Sequence, residues 1–199
     1  MDNYTRSEIT RNKAIEAALV ILERDGVSGL TFDALARESG ISKGGLLHQF
    51  RTKNAVLEAL AEYQSQYFQR VAQGYLAKEG ALKVEPTVAS QIAIYRESSN
   101  QPHSVARAVL ATLISNPSPE LLERFRAQDA QALKKIAEES PDSDLALIRL
   151  LAASGLAFAT LLGMSSLSRQ DRERLYARLL DEQAWAGATN KSAKKKKRA

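Results

Sequence analysis

At 199 residues, 44% of them apolar, the chain is long enough for one or two domains with a buried core. It has no cysteine, which excludes disulfides and thiolate metal sites and is compatible with a reducing compartment, and its mixed polar N-terminus MDNYTRSEIT does not read as a signal peptide. The net charge of +5 is supplied by Lys191, Lys194, Lys195, Lys196, Lys197 and Arg198; without them the chain sums to −1, so a polyanion-binding face must come from local arrangement, not bulk charge.

Residues 7–25 read as a first helix, because Ile15, Ala18, Leu19 and Leu22 repeat at i, i+3, i+4 and i+7, and Gly26 ends it. The stretch TFDALARESGISKGGLLHQFRTK, residues 31–53, then reads as two short helices joined by a tight turn. Thr31 stands at an N-cap position, Asp33 places negative charge in the first turn, and Phe32, Leu35 and Ala36 share a face over 32–39. Gly40 permits the left-handed backbone that closes a helix. Ile41 can plug the gap between the helices, Ser42 caps the second one, and Leu46 and Phe50 lie four apart on its inner face. Helix, glycine turn and helix together outline a DNA-binding helix-turn-helix. The outward positions of its second helix are Lys43, Gly44, Gly45, His48 and Gln49. From Ile41 to Ala55 the charges are Lys43, Arg51 and Lys53, a basic edge suited to phosphates.

Residues 7–60 resemble the N-terminal domain of the TetR (tetracycline-repressor) family of bacterial transcription regulators. The matching pieces are a first helix ending in Gly26, the Leu30-Thr31 pair, the Ala-Arg-Glu-Ser-Gly-Ile-Ser turn, and Phe50 followed three residues later by Lys53. Two positions depart from the family pattern: Leu47 stands where the family usually has Tyr, and Gln49 where it usually has His. Gln49 keeps an amide donor, and His48 is a neighbouring substitute. The resemblance implies that Lys43, Gly44, Gly45, His48 and Gln49 face bases in a major groove, while Thr31, Ser42 and Lys53 position the protein on phosphates. It also makes Arg6, Arg11 and Lys13, near the start of the first helix, phosphate candidates.

Beyond residue 52 the chain is helical in pattern throughout, with no period-two run. Thr52 caps a long helix from Lys53 to about Ala77, spanning roughly 35 Å at ~1.5 Å per residue, with Val56, Leu60, Tyr63, Tyr67 and Val71 as its apolar stripe. It leaves the first domain without a linker, which makes it a plausible transmission element. A loop over 78–85 precedes a helix opened by Pro86, with Val88, Ile92 and Tyr95 on one side. Pro102 opens another, with Val105, Val109 and Leu113 aligned. Ser118-Pro119 starts a helix to about Glu139, with Leu121, Leu122, Phe125, Leu133 and Ile136 as its core positions. After Ser140-Pro141 comes the most apolar stretch, 145–164. Its length would suffice for a membrane span, but Arg149 inside it argues for a helix buried in protein. A last helix runs from Ser168 to Trp185.

The expected fold is all-α: an N-terminal three-helix helix-turn-helix domain (1–52) and a C-terminal helical ligand-binding and dimerisation domain (53–186), about nine helices in all, followed by a disordered basic tail (187–199). The last two helices would leave an apolar face open on a monomer, which predicts a homodimer contact through Leu151, Gly155, Ala159, Leu162, Leu175 and Leu179. A ligand pocket is expected between the middle helices, walled by Tyr63, Tyr67, Tyr95, Phe125 and Phe158, with Arg96 and His103 as polar anchors. Two histidines and no His-Glu-x-x-His run, phosphate loop or nucleophile elbow give an enzyme, a metal site or a cofactor nothing to stand on. The reading is a cytoplasmic bacterial transcription regulator, a repressor bound as a dimer to a pseudo-palindromic DNA operator and released by a small-molecule effector. The competing reading is a helical adaptor that uses its apolar last helices without sequence-specific DNA binding.

Overall fold

The computed structural model describes residues 3–100 and 119–185. Among these residues every regular element is helical. The elements are α1 (Asn3–Gly29), α2 (Phe32–Ser39), α3 (Lys43–Gln49), α4 (Lys53–Glu79), a 3-10 turn (Gly80–Leu82), α5 (Pro86–Asn100), α6 (Pro119–Glu139), α7 (Ser143–Leu161) and α8 (Arg169–Leu180). The described residues fall into two compact units, one on residues 3–67 and 119–122 and the other on 68–100 and 123–185, so α4 and α6 each belong to both.

The first unit is held by an apolar core. Ala14, Ala18, Ile21 and Leu22 of α1 meet Leu35, Leu46, Phe50, Val56 and Leu60 there, and Phe32, Ala36 and Ile41 pack on its edge. Ile41 therefore fills the gap between α2 and α3, as its place in the turn suggests. The regular turn of α1 ends at Gly26, whose backbone is left-handed at φ 68°, although helical hydrogen bonding resumes as far as Gly29.

The second unit is organised around α5, which packs on α7 and α8. Val88 and Ile92 of α5 are buried with Ile136, Ala146, Ala153, Tyr176 and Leu179. Carboxylates fasten the N-terminal end of α5. Glu182 accepts from the amides of Val84 and Glu85 at 3.1 and 2.9 Å, and Glu139 accepts from the Thr87 amide and hydroxyl at 2.9 and 2.8 Å. These groups satisfy donors that a helix start leaves open. Arg149 of α7 is buried, donating from Nε to the Leu179 carbonyl at 3.0 Å and from Nη1 to the Glu85 carboxylate. Near the other end of α5, the Tyr176 hydroxyl lies 2.7 Å from Ser99 Oγ and 3.3 Å from the carbonyls of Tyr95 and Ala153.

Several boundaries and burials differ from those expected. The loop over 78–85 contains the 3-10 turn, because α4 runs on to Glu79. α7 is capped by Asp142, whose carboxylate accepts from the Leu145 amide, so Ser140-Pro141 lies outside it. α7 stops at Leu161, with Gly163 left-handed at φ 69°. α8 stops at Leu180, and one further turn follows over 182–185. Phe125 and Leu133 of α6 are exposed, and Ile136 is buried. The helix expected from Pro102 lies outside the described residues. α7 is the one described helix long and apolar enough to cross a membrane, and its single cation is the buried Arg149.

Candidate nucleic-acid interface

The geometry of α2 and α3 follows from three local devices. Thr31 Oγ1 accepts from the Ala34 amide at 3.1 Å, and Ser42 Oγ accepts from the Gly45 amide at 3.1 Å, so each helix has a side-chain N-cap. Gly40, at φ 69°, donates its amide to the Ala36 carbonyl and ends α2 in the left-handed conformation that glycine tolerates best. Leu46 and Phe50 then bury the inner side of α3, and its other face is left outward.

On that outward face lie Lys43, Gly44, Leu47 and His48, all exposed. Gly44 would have open space around a Cβ. Gly45 departs from the expected outward set: a Cβ there would stand 3.1 Å from Ile41 Cγ2 and 3.3 Å from Ser42 Oγ. It sits in the first turn of α3, where a Cβ would press on Ile41 and on the Ser42 cap. Gln49 is half-buried, and its side-chain carbonyl accepts from the Ser7 hydroxyl at 3.1 Å, which turns its NH₂ away from Ser7. The two caps, Thr31 and Ser42, spend their oxygens on backbone amides but keep hydroxyl protons to donate.

The cations are less free than the sequence suggests. Lys43 Nζ lies 2.8 Å from Asp33 Oδ1, and this contact holds the Asp33 carboxyl below the usual range. Lys53 Nζ donates to the Val27 carbonyl at 2.7 Å, tying the start of α4 to the end of α1. Arg11 pairs with Glu62 at 3.2 Å, and its guanidinium sits 5.5 Å from the centre of the Phe50 ring. Lys13 is exposed, and the Arg6 side chain lies outside the described residues. Ser7, Glu8, Arg11, Gln49 and Glu62 line an open cleft of about 360 Å³ beside the C-terminal end of α3. Sequence reading missed all these pairings. Arg11 and Glu62 are 51 positions apart and Ser7 and Gln49 are 42 apart, so no local spacing announces them.

The expected ligand residues divide between the two units. Tyr63 and Tyr67 belong to the first unit, Tyr63 partly exposed. In the second unit Tyr95 packs against the core, with burial pushing its phenol up. Arg96 pairs with Glu173 at the surface, and Phe125 and Phe158 stand 37% and 44% exposed. His103 lies outside the described residues. No group of His, Asp and Glu among the described residues could hold a metal.

Of the expected dimer positions, Leu151 is 67% and Leu162 49% exposed on α7, in line with exposed Ile148, Gly155 and Phe158, and Ala159 is half-buried beside them. Leu175 is half-buried. Leu179 is a correction: it is buried in its own protomer's core, because that face of α8 packs on α5.

A capped helix-turn-helix with an open second helix, joined through a long helix to a second all-α unit, defines a helix-turn-helix regulator. Family models agree over most of the chain. Residues 14–60 match the bacterial regulatory proteins of the tetR family, and residues 86–183 match the tetracyclin repressor-like C-terminal domain. The chain belongs to the TetR family, a class of transcription regulators. It is 39% identical over 54 residues to the HTH-type transcriptional regulator SrpR of Pseudomonas putida, covering 27% of this chain and 25% of that one. It is 43% identical over 56 residues to the tetracycline repressor protein class A from transposon 1721 of Escherichia coli, covering 28% and 26%. These matches thus span about a quarter of each relative's length. Among solved structures, a putative TetR-family regulator from Rhodococcus sp. superposes with a TM-score of 0.57 at 16% identity, covering 85% of this chain and 96% of that one. One from Mesorhizobium loti gives 0.56 at 18% identity, covering 89% and 96%. At such identities the likeness concerns the fold.

Proposed function

We propose that this chain is a ligand-responsive, DNA-binding transcription regulator of the bacterial cytoplasm. It acts as a repressor, binds a pseudo-palindromic operator as a homodimer, and is released by a small-molecule effector held in its second unit. The observation that carries this reading is the short α3, anchored by Leu46 and Phe50 and capped by Ser42, with Lys43, Gly44, Leu47 and His48 turned to the outside. His48 is the polar group on that face able to reach base edges, Lys43 at the start of α3 can reach a base edge or a flanking phosphate, and the Gln49 NH₂ adds a donor at its end. The exposed apolar row Ile148, Leu151, Phe158 and Leu162 supports dimerisation through α7. Two copies would present two α3 helices to half-sites about 34–36 Å apart or at a related spacing.

Selection from a random duplex library, followed by gel shift on the enriched duplex, tests the reading. The expected result is a preferred, two-fold symmetric sequence. His48→Ala should change the preferred base at one position in each half-site, whereas equal loss on matched and scrambled duplexes would remove His48 from base reading. The same α7 row also suits an adaptor that binds protein alone. That reading predicts no sequence enrichment and no change in duplex binding when Lys43 and Gln49 become alanine.

A further inference from the structure

We propose that Asp33 is an internal phosphate surrogate: in the unbound protein it occupies Lys43, competes with the DNA backbone for that ammonium, and so lowers affinity for DNA of any sequence. The inference rests on the DNA-binding reading above and adds a residue to it. Its basis is the geometry of the two helix starts. Gly40 turns the chain so that the second residue of α2 and the first residue of α3 come side by side, with Lys43 Nζ 2.8 Å from Asp33 Oδ1. Both side chains remain more than half exposed, at 54% and 67%, so the pair lies on open surface. The fold does not depend on it: α2 and α3 are held by their Thr31 and Ser42 caps and by buried Leu35, Leu46 and Phe50, and exposed ion pairs add little to folding.

The position of the pair gives it a consequence for binding. Lys43 is the one residue of α3, KGGLLHQ, that carries a permanent positive charge. Among the neighbouring cations Lys53 donates to the Val27 carbonyl, and Arg51 is exposed without an ion-pair partner among the described residues. With Lys43 neutralised, the outward side of α3 offers approaching phosphates no uncompensated permanent charge. To take a phosphate, Lys43 must leave Asp33, and the carboxylate is then left facing the polyanion. A carboxylate and a phosphate oxygen are alternative acceptors for the same ammonium. The cost therefore falls on every complex in which Lys43 touches the backbone, and it tempers retention on the great excess of non-operator sequence.

The test is fluorescence anisotropy of the full chain on a labelled duplex of arbitrary sequence, across a salt series, for wild type, Asp33→Asn, Asp33→Glu, Lys43→Gln and the Asp33→Asn/Lys43→Gln double variant. Asp33→Asn should bind roughly 2–5-fold tighter at low salt, with log affinity falling more steeply against log salt by about 0.9, the increment of one added phosphate contact. Asp33→Glu should stay near wild type. In the Lys43→Gln background the Asn substitution should produce little gain, since there is no ammonium to release. An equal gain in that background would overturn the surrogate role and leave a bulk-charge effect. An unchanged Asp33→Asn, with wild type binding in a salt-sensitive way, would overturn it as well, and circular dichroism checks that this variant is folded. If wild type binds no duplex at any salt, the DNA-binding reading itself falls and the inference with it.

Discussion

The core cluster beneath the helix-turn-helix is made of alanine, isoleucine, leucine, valine and phenylalanine side chains, with Gln64 of α4 as a buried polar residue of that unit, while the second unit has Glu85, Ser90, Ser98, Ser99 and Arg149 buried close to its apolar cluster. The two units are thus specified by different physics. In the first, non-directional packing supplies the stability, and short-range devices (two hydroxyl caps and the Gly40 turn) set the geometry. In the second, α5 is located by directed contacts at both ends: Glu139, Glu182 and the Arg149–Glu85 pair at one, Tyr176 and Glu173 at the other. Packing tolerates conservative exchange of apolar groups, whereas a buried polar contact fails when either partner is removed. The surface that would meet DNA therefore sits on the more forgiving unit, and the unit proposed to hold the effector is sensitive to single side chains.

The largest expected effect comes from the buried ion pair. Arg149→Met leaves the Glu85 carboxylate buried without its cation and the Leu179 carbonyl without its donor, at a cost of about 3–5 kcal/mol. Trp185, the only tryptophan in the chain, packs on the second unit's cluster, so its fluorescence during urea unfolding reports that unit. A loss below about 1 kcal/mol would break the contrast between the units. The Glu85→Leu/Arg149→Met double variant should regain much of the loss, since apolar replacement of a whole buried pair is often neutral or better. Tyr176→Phe comes next, at about 1–2 kcal/mol, because Ser99 and two carbonyls share its hydroxyl. In the first unit Lys53→Met removes the 2.7 Å, partly buried bond to the Val27 carbonyl and should cost about 1 kcal/mol by thermal melting. A cost as large as that of Arg149→Met would mean that the first unit, too, hangs on a single polar contact.

Legibility in the sequence follows the same division. Phe32–Ser39, Gly40 and the Ser42 cap were readable because each signal lies within four residues of what it acts on. The start of α4 at Lys53 and of α5 at Pro86 were likewise local. The Arg149–Glu85 pair spans 64 positions and Thr87–Glu139 spans 52, and neither leaves a trace in periodicity. For that reason Arg149 could be read as an argument against a membrane span but not as the anchor of α5. The expectation of a dimer surface at Leu179 fails for a related reason: an amphipathic helix shows which residues are apolar, but not which neighbour covers them. At the candidate interface the recognition face was visible, whereas the Asp33 contact to Lys43 and the Ser7 contact to Gln49 required the folded chain.

The smallest effect expected is a dependence on alkaline pH carried by the second unit. Burial, with the nearby Glu79 carboxylate, pushes the Tyr75 phenol up to about 12, and burial also raises Tyr95 and Tyr176. A raised phenol favours the neutral form in the folded state, so its contribution is fully present below the unfolded value of about 10 and is lost as pH rises through the folded value. The window therefore runs from about pH 10 upward, reaching about 12 for Tyr75. Titration of the phenolate absorbance band, followed in parallel with Trp185 fluorescence, should show a late-ionising fraction whose appearance coincides with loss of the second unit's packing. Tyr176→Phe should remove one late-ionising group and leave the others. If all tyrosines ionised together near pH 10 with Trp185 fluorescence unchanged, these phenols would be solvated, and Tyr176 could not be the buried contact that fixes the C-terminal half of α5.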